Sequence, residues 1–160
     1  MVMVDKKQIT EMFRPLAVLE AMTPEAISAV SQGNIIDGFI PIRKFPFRIG
    51  RESRVRVVDG KIERIERPKL NQIEPNNDLY LVDRGVLLNI SREHLQLERD
   101  GEHLILVDRG SASGTKVNME PVGGDDRGGT MAVKDGDEIT IGTKASPYRY
   151  RLIDLASQSG

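Results

Sequence analysis

The sequence contains no cysteine and no tryptophan, and only two of its 160 residues are histidine. The lack of cysteine excludes disulfide frameworks, thiol nucleophiles and cysteine-ligated zinc. His94 and His103 show no HExxH-type spacing, so they offer little material for a histidine metal site or a Ser-His-Asp triad. We therefore expect neither a metal site nor a catalytic triad.

Long apolar runs and an excess of one charge are also absent. No window approaches the roughly 18 apolar residues of a membrane span, and the short apolar start before Lys6 lacks the form of a secretory signal. Lysine and arginine number 23 against 24 acidic residues, so no basic field favours nucleic acid. We predict a cytoplasmic protein that binds neither nucleic acid nor membrane.

Two segments have a superficial likeness to catalytic motifs. A Walker loop needs lysine before threonine and four residues between its glycines, whereas in "GSASGTK" Thr115 precedes Lys116 and three residues separate the glycines. A G-x-S-x-G elbow would need serine where Ala112 stands. The sequence therefore favours a protein that is not an enzyme and has no cofactor.

The beginning of the chain has helical patterning. Apolar residues three or four positions apart predict a helix over 9–19, which Pro15 must begin or interrupt. Thr23 as an N-cap, followed by a proline and later by Gly33 as a stop, indicates a second helix. We predict an N-terminal α-helical appendage over residues 1–36.

After this appendage the apolar residues alternate, as in strands with one buried face. The alternating sets are Phe45, Phe47 and Ile49; Val55 and Val57; Leu79 and Leu81; Leu95 and Leu97; Ile139 and Ile141; and Tyr148, Tyr150 and Leu152. Asp-Gly pairs at 59–60, 100–101 and 135–136 supply turn signals between or before these runs. The pattern predicts an all-β fold, an antiparallel β-sandwich over 37–155, with a disordered tail over 156–160.

Four motifs stand in a fixed order along the strand-rich part. They are "FRIGRES" around Gly50 and Arg51, "SREH" at 91–94, "DRGSASGTKVN" at 108–118 and "DGDEITIG" at 135–142. Together they resemble the forkhead-associated (FHA) domain, a β-sandwich of the SMAD/FHA type whose loops read phosphothreonine in a partner protein. The resemblance covers about residues 39 to 153. It implies a phosphothreonine-peptide adaptor in Ser/Thr kinase signalling, whose partner is a kinase or a kinase substrate.

The residue types agree with phosphate binding. A phosphate with nearly two negative charges and three acceptor oxygens requires a fixed cation and neutral donors. Arg51 follows a glycine at the end of a strand, and Ser91 with Arg92 can add a hydroxyl and a second charge. Taken singly, Arg51 is equally typical of a solvated strand end, and Ser91 of a turn serine bonded to its own backbone. The resemblance favours the phosphate site.

The third motif differs from the family pattern. Ser113 stands where the family has an asparagine that holds the partner's backbone, and serine has a shorter reach and one donor. Ala112 lacks a hydroxyl that some family members carry there. We expect both residues to contact the peptide and the missing bond to weaken binding several-fold.

The remaining motif residues are expected to brace the loops without contacting the peptide. The resemblance implies this structural role for Gly50, His94, Gly114, Thr115 and Asn118. For His94 the residue type gives the same answer, since a lone histidine at a strand start is more often structural than catalytic.

Residues 52–77 form an insertion relative to the family pattern. Two apolar arms about Asp59-Gly60 predict an extra hairpin, ended by Pro68 and Pro75. Beside the phosphate site, such a hairpin would either extend the recognition surface or cover it. If it covers the site, the alternative function is a divergent FHA-fold scaffold that binds partners independently of phosphorylation.

The helical prefix lies outside the resemblance and has three interpretations. It is a cap that buries its apolar stripe on the sheet, a docking segment for a partner or second copy, or a carrier of a phosphorylated Thr10 that occupies the domain's own site. The sequence does not specify the partner's identity, the residues around its phosphothreonine or the oligomeric state.

Overall fold

Short strands with alternating burial make up most of the chain. The computed structural model describes residues 5–52, 55–58, 61–64 and 75–156. Within these ranges the strands are β1 (Ala17–Ala21), β2 (Phe39–Ile42), β3 (Phe47–Arg51), β4 (Val55–Val58), β5 (Lys61–Arg64), β6 (Leu79–Leu81), β7 (Leu95–Asp100), β8 (His103–Asp108), β9 (Thr115–Val117), β10 (Glu120–Val122), β11 (Gly129–Val133), β12 (Glu138–Ile141) and β13 (Arg149–Asp154). The helices are α1 (Lys6–Phe13) and α2 (Pro24–Ser28), and a turn of 3-10 helix spans Gln32–Asn34.

Two sheets enclose one apolar core. The first has the strand order β10-β9-β12-β13-β1-β2 and the second β11-β8-β7-β3-β6. Buried side chains from both sheets form a single cluster, and its largest fully buried members include Leu19, Ile40, Ile42, Tyr150, Ile49, Leu81, Leu97 and Leu106. The predicted all-β sandwich is confirmed. Neighbouring strands are antiparallel except for β3 and β6, which pair in parallel.

The parallel edge strand β6 is anchored by Asp78, the residue before it. Its carboxylate accepts hydrogen bonds from Arg48 N at 2.9 Å and Arg48 Nε at 3.1 Å, and it pairs with Lys44 Nζ at 3.1 Å. Burial opposes ionisation of Asp78, but these bonds outweigh it and lower the pKa of Asp78 to about 2. The anchor holds β6 beside β3, the strand that ends at Arg51.

The predicted turns and the inserted hairpin agree with the structure where it describes them. Gly101 and Gly136 have φ of +61° and +88°, the left-handed backbone for which glycine is suited. β4 and β5 pair antiparallel, as predicted for the hairpin arms. Its turn at Asp59-Gly60 and Pro68 lie outside the described residues, and Pro75 lies in an irregular segment before β6.

The helix predicted over 9–19 was wrong in its second half. α1 ends at Phe13, and Ala17–Ala21 is the strand β1, paired with both β13 and β2. Pro15 has no amide hydrogen and disfavours helical backbone at Arg14, whose φ and ψ are −67° and 127°. Beyond Pro15, burial alternates with the period of a strand. The predicted appendage 1–36 therefore contributes a strand to the sandwich.

The two helices differ in what they bury. α2 starts as predicted, with Thr23 Oγ1 accepting from Ala26 N at 3.0 Å, and Ala26 is fully buried. α2 ends at Ser28, before the predicted stop at Gly33. α1 buries no side chain, and Met12 and Phe13 are 65% and 62% exposed. The interpretation of the helical prefix as a cap therefore holds for α2, whose Ala26 belongs to the core cluster, and was wrong for α1.

The predicted phosphorylation of Thr10 and the predicted disordered tail over 156–160 lie near the two ends of the chain. Thr10 lies in α1, where its hydroxyl donates to Lys6 O at 2.8 Å, and its phosphorylation stays a prediction. In the predicted disordered tail, Ala156 N donates to Asp154 Oδ1 at 3.0 Å, and residues 157–160 lie outside the described ranges.

Candidate functional site

Three segments meet at one end of the sandwich, and we call them the site loops. They are the end of β3 at Arg51, residues 82–94 before β7, and residues 109–114 between β8 and β9. Arg51 N donates to Ser91 O at 3.0 Å, and Ala112 N donates to Ser91 Oγ at 3.0 Å. These bonds bring together Arg51, Ser91 and Ala112, which are far apart in the sequence.

Arg51 and Ser91 form the centre of this site. Arg51 Nε donates to Ile90 O at 2.9 Å, which fixes the plane of a half-buried guanidinium beside Ser91. Ser91 Oγ accepts the Ala112 amide, and the serine hydroxyl hydrogen has no acceptor among the residues that the structure describes. A fixed cation next to a hydroxyl with an available hydrogen can bind an oxyanion.

Arg92 is positioned through its main chain. Its carbonyl accepts from Asn77 Nδ2 at 2.7 Å, and Asn77 Oδ1 accepts from Arg109 Nη1 at 2.6 Å. Gly50 allows this close approach, because a Cβ there would lie 2.0 Å from Arg92 O. Burial lowers the pKa of the Arg109 guanidinium. The Arg92 side chain is half-buried and lies next to Ser91.

His94 is fully buried and connects two of the site loops. Its Nδ1 accepts from Ser91 N at 2.9 Å, and its Nε2 lies 2.8 Å from Gly114 O. A ring that accepts at Nδ1 and meets a carbonyl at Nε2 carries its proton on Nε2. Burial lowers the pKa of His94, against the opposing effects of the Gly114 carbonyl and of Asp108.

Asp108 organises the loop between β8 and β9 from inside. Its Oδ1 accepts from Gly110 N at 3.1 Å and Ser111 N at 2.8 Å. Its Oδ2 accepts from the hydroxyls of Ser111 at 2.6 Å and Thr115 at 2.7 Å. Four donors on one buried carboxylate define the path of the backbone that presents Ala112 and its neighbours.

Ser113 and Gly114 belong to the site loops, whereas Asn118 lies away from them. Ser113 Oγ donates to Leu88 O at 3.4 Å and so contacts the loop before β7. Gly114 has φ of +82° and accepts from Gly142 N at 2.9 Å. Asn118 is placed elsewhere: its side chain bonds Asp137 Oδ1 and Glu138 N, both at 3.0 Å, and ties the β9–β10 hairpin to β12.

A family comparison covers the whole site. The family model of the FHA domain matches residues 47–142, which include all three site loops. The chain belongs to the FHA domain family. This agrees with the motif order noted in the sequence.

Individual relatives of this FHA domain are known. Over 81 residues, or 51% of the chain, it is 35% identical to an oxoglutarate dehydrogenase inhibitor of Corynebacterium jeikeium, covering 45% of that protein. Over 81 residues, again 51% of the chain, it is 33% identical to the glycogen accumulation regulator GarA of Mycolicibacterium smegmatis, covering 41% of it. The match spans less than half the length of either relative.

A solved structure agrees at the level of the fold. The N-terminal FHA domain of Rad53p from S. cerevisiae, in complex with a phosphothreonine peptide, matches with a TM-score of 0.50 and 15% identity. The match covers 87% of this chain and 93% of that one. At this level of identity the likeness concerns the fold alone.

From the sequence, no role was assigned to several residues that hold the site loops in place through hydrogen bonds. Asp108 and Ser111 were part of a quoted motif without an assigned role, although an aspartate at a strand end before Gly-Ser is typical of a side-chain-capped turn. Asn77 and Arg109 gave no local signal, because they meet only in the fold.

Asp83 is a further support of the FHA site that the sequence did not indicate. Its carboxylate accepts from the amides of Asn89 at 2.6 Å and Ile90 at 3.0 Å, and from the Tyr148 hydroxyl at 2.9 Å. These bonds fix the loop that leads to Ser91.

The described part of this FHA domain has neither a metal-binding cluster nor a membrane-spanning helix. In the part that the structure describes, no group of three His, Cys, Asp or Glu residues is arranged to hold a metal ion. Across the same ranges, no helix is long and apolar enough to cross a membrane.

Proposed function

We propose that this FHA domain is a non-catalytic adaptor that binds phosphothreonine in a partner protein within Ser/Thr kinase signalling. The observation that carries the proposal is that the Arg51 guanidinium is anchored to Ile90 O, next to Ser91, whose hydroxyl oxygen is held by the Ala112 amide. In this proposal Arg51 and Ser91 bind phosphate oxygens and Arg92 adds positive charge. Ala112 and Ser113 lie along the peptide.

Rigidity of the rim supports the proposal. The main-chain amide of Ser91 is held by buried His94, and the neighbouring loop is held by buried Asp108. A phosphate site built on fixed groups loses little conformational entropy on binding, so more of the interaction energy appears as affinity. Gly50, Gly114 and Thr115 act as braces in this scheme.

The descriptions of the relatives agree with a regulatory role. Two are described as a dehydrogenase inhibitor and a glycogen accumulation regulator. The Rad53p domain was solved with a phosphothreonine peptide. We infer a phosphorylated partner, either a Ser/Thr kinase or one of its substrates. The cytoplasmic location stays a prediction.

The test is a titration with a fluorescent degenerate phosphothreonine peptide pool, with phosphoserine and unphosphorylated pools beside it. We expect saturable binding to the phosphothreonine pool alone and its loss in Arg51→Ala. Arg151→Ala is the matched control, because Arg151 is an exposed arginine in β13 of the other sheet and its removal changes the net charge equally. That control should bind as the unaltered protein does.

Three results would contradict parts of this proposal. Equal binding to phosphorylated and unphosphorylated pools would contradict phosphate recognition. Saturable binding that persists in Arg51→Ala would remove Arg51 from the site. Binding to no pool would favour the alternative, a scaffold of the same fold that recognises partners without phosphate.

A further inference from the structure

Asn89 lies on the loop that leads to Ser91 and takes part in an arrangement that the sequence motifs did not indicate. It is half-buried, and its side-chain oxygen Oδ1 accepts from Thr143 N at 3.3 Å and from Thr143 Oγ1 at 3.2 Å. Thr143 follows β12, so this contact ties the loop before β7 to a distant turn.

The orientation of the Asn89 amide follows from its partner. A main-chain N–H can only donate, so the group of Asn89 that faces Thr143 N must be the oxygen. The amide nitrogen Nδ2 therefore points away from Thr143. Within the described residues Nδ2 has no acceptor.

Gly142 holds Asn89 against the site. A Cβ at Gly142 would lie 2.6 Å from Asn89 Cβ, and Gly142 has φ of +112°, so glycine permits the close packing of the two residues. Gly142 N also donates to Gly114 O at 2.9 Å. Asn89 is thus fixed relative to the loop between β8 and β9.

Ser113 contacts the loop that carries Asn89. Its hydroxyl lies 3.4 Å from Leu88 O, the carbonyl of the peptide bond that joins Leu88 to Asn89. The single hydroxyl hydrogen of Ser113 is therefore used within the protein. The Asn89 amide, on the residue that follows Leu88, offers two hydrogens that have no acceptor within the described residues.

A bound extended peptide brings main-chain carbonyls that lose water and need donors. We propose that Asn89 Nδ2 donates to a main-chain carbonyl of the bound phosphopeptide beside its phosphothreonine, and that Thr143 and Gly142 position Asn89 for this. The inference rests on the proposed phosphopeptide function and names a further binding residue of that site. Because the contact is to main chain, it strengthens binding of every peptide sequence alike.

The test compares peptide affinity in three variants with the same phosphothreonine pool. Asn89→Ala removes both donor and acceptor and should weaken binding about tenfold. Asn89→Asp keeps an oxygen for Thr143 N but has no donor, and should weaken binding at least as much. Asn34→Ala is the matched control, because Asn34 is exposed in the 3-10 turn at Gln32–Asn34, and it should bind normally.

A spectroscopic measurement separates a direct contact from a bracing role. The side-chain NH₂ resonances of Asn89 are identified by their disappearance in Asn89→Asp. Addition of the phosphothreonine pool to the unaltered protein should shift these resonances and slow their exchange with water. The unphosphorylated pool, or Arg51→Ala protein, should leave them unchanged.

The other possible results refute either the role of Asn89 or the proposed function. If the unaltered protein binds and Arg51→Ala does not, but Asn89→Ala and Asn89→Asp bind normally, the role of Asn89 is refuted and the proposed function stands. If Asn89→Ala is weakened while Asn89→Asp binds normally, or if Thr143→Ala reproduces the loss without any response of the NH₂ resonances, Asn89 is only a brace. No binding by the unaltered protein overturns both proposals.

Discussion

Acidification should destabilise the protein through His94. The imidazole is 0% exposed and uses both nitrogens, with Nδ1 accepting from Ser91 N at 2.9 Å and Nε2 facing Gly114 O at 2.8 Å. Protonation would place a hydrogen on Nδ1 and break the bond from Ser91 N. Because burial lowers the pKa of His94 below its ordinary value of 6.5, the folded protein holds the ring neutral.

The direction and the size of the pH dependence of stability follow from this lowered pKa of His94. As pH falls through 6.5, the unfolded chain binds a proton at His94 before the folded protein does. The contribution of His94 is therefore fully present above this pH and is lost below it. Between 6.5 and the folded-state pKa, the free energy of unfolding should fall by about 1.4 kcal/mol for each pH unit.

The assay is urea unfolding at several values between about pH 7.5 and about pH 5.5. The unaltered protein should lose stability over this range, by at most about 1.4 kcal/mol from His94. His94→Gln should be less stable at neutral pH and should lose the pH dependence. His103→Gln, at an exposed position in β8, should retain it. Equal pH slopes in His94→Gln and the unaltered protein would contradict the role of His94, as would stability that rises on acidification.

Two substitutions in the supports of the site should also be informative. Asp108→Ala leaves two amides and two hydroxyls without their buried acceptor and should cost about 3 kcal/mol or more in thermal or urea unfolding, with weaker peptide binding. Asp108→Asn, which keeps one oxygen, should cost less, and an equal loss in both would contradict this account. Gly50→Ala places a Cβ 2.0 Å from Arg92 O and should cost about 1–3 kcal/mol and lower phosphopeptide affinity. Full affinity and stability in Gly50→Ala would show that the Arg92 carbonyl can move freely.

The strands and turns were largely predictable because their signals are local. Leu95 and Leu97 alternate with polar residues, and both are fully buried. The Asp-Gly pairs at 100–101 and 135–136 adopt turns with glycine at positive φ. Such features depend on neighbours in the sequence, so the pattern alone indicates them.

The first helix shows where local patterning misleads. The spacing of apolar residues from 9 to 19 fits a helix, yet the chain from Ala17 forms β1 between β13 and β2. A short apolar run fits both periods, and partners far along the chain decide between them. The exposed apolar side of α1 is a second example, because the spacing of apolar residues predicts an apolar face but not whether that face is buried.

Motif spacing and strand alternation are local features of the chain, so they specify the family, the sandwich and the order of the motifs that carry Arg51 and Ser91. How these residues are held depends on the folded molecule. Asn77 meets Arg109, and Asn89 meets Thr143, through contacts between segments 32 and 54 residues apart. Such pairs leave no periodic trace, because a hydrogen bond across the fold depends on where two loops converge and not on the residues beside them.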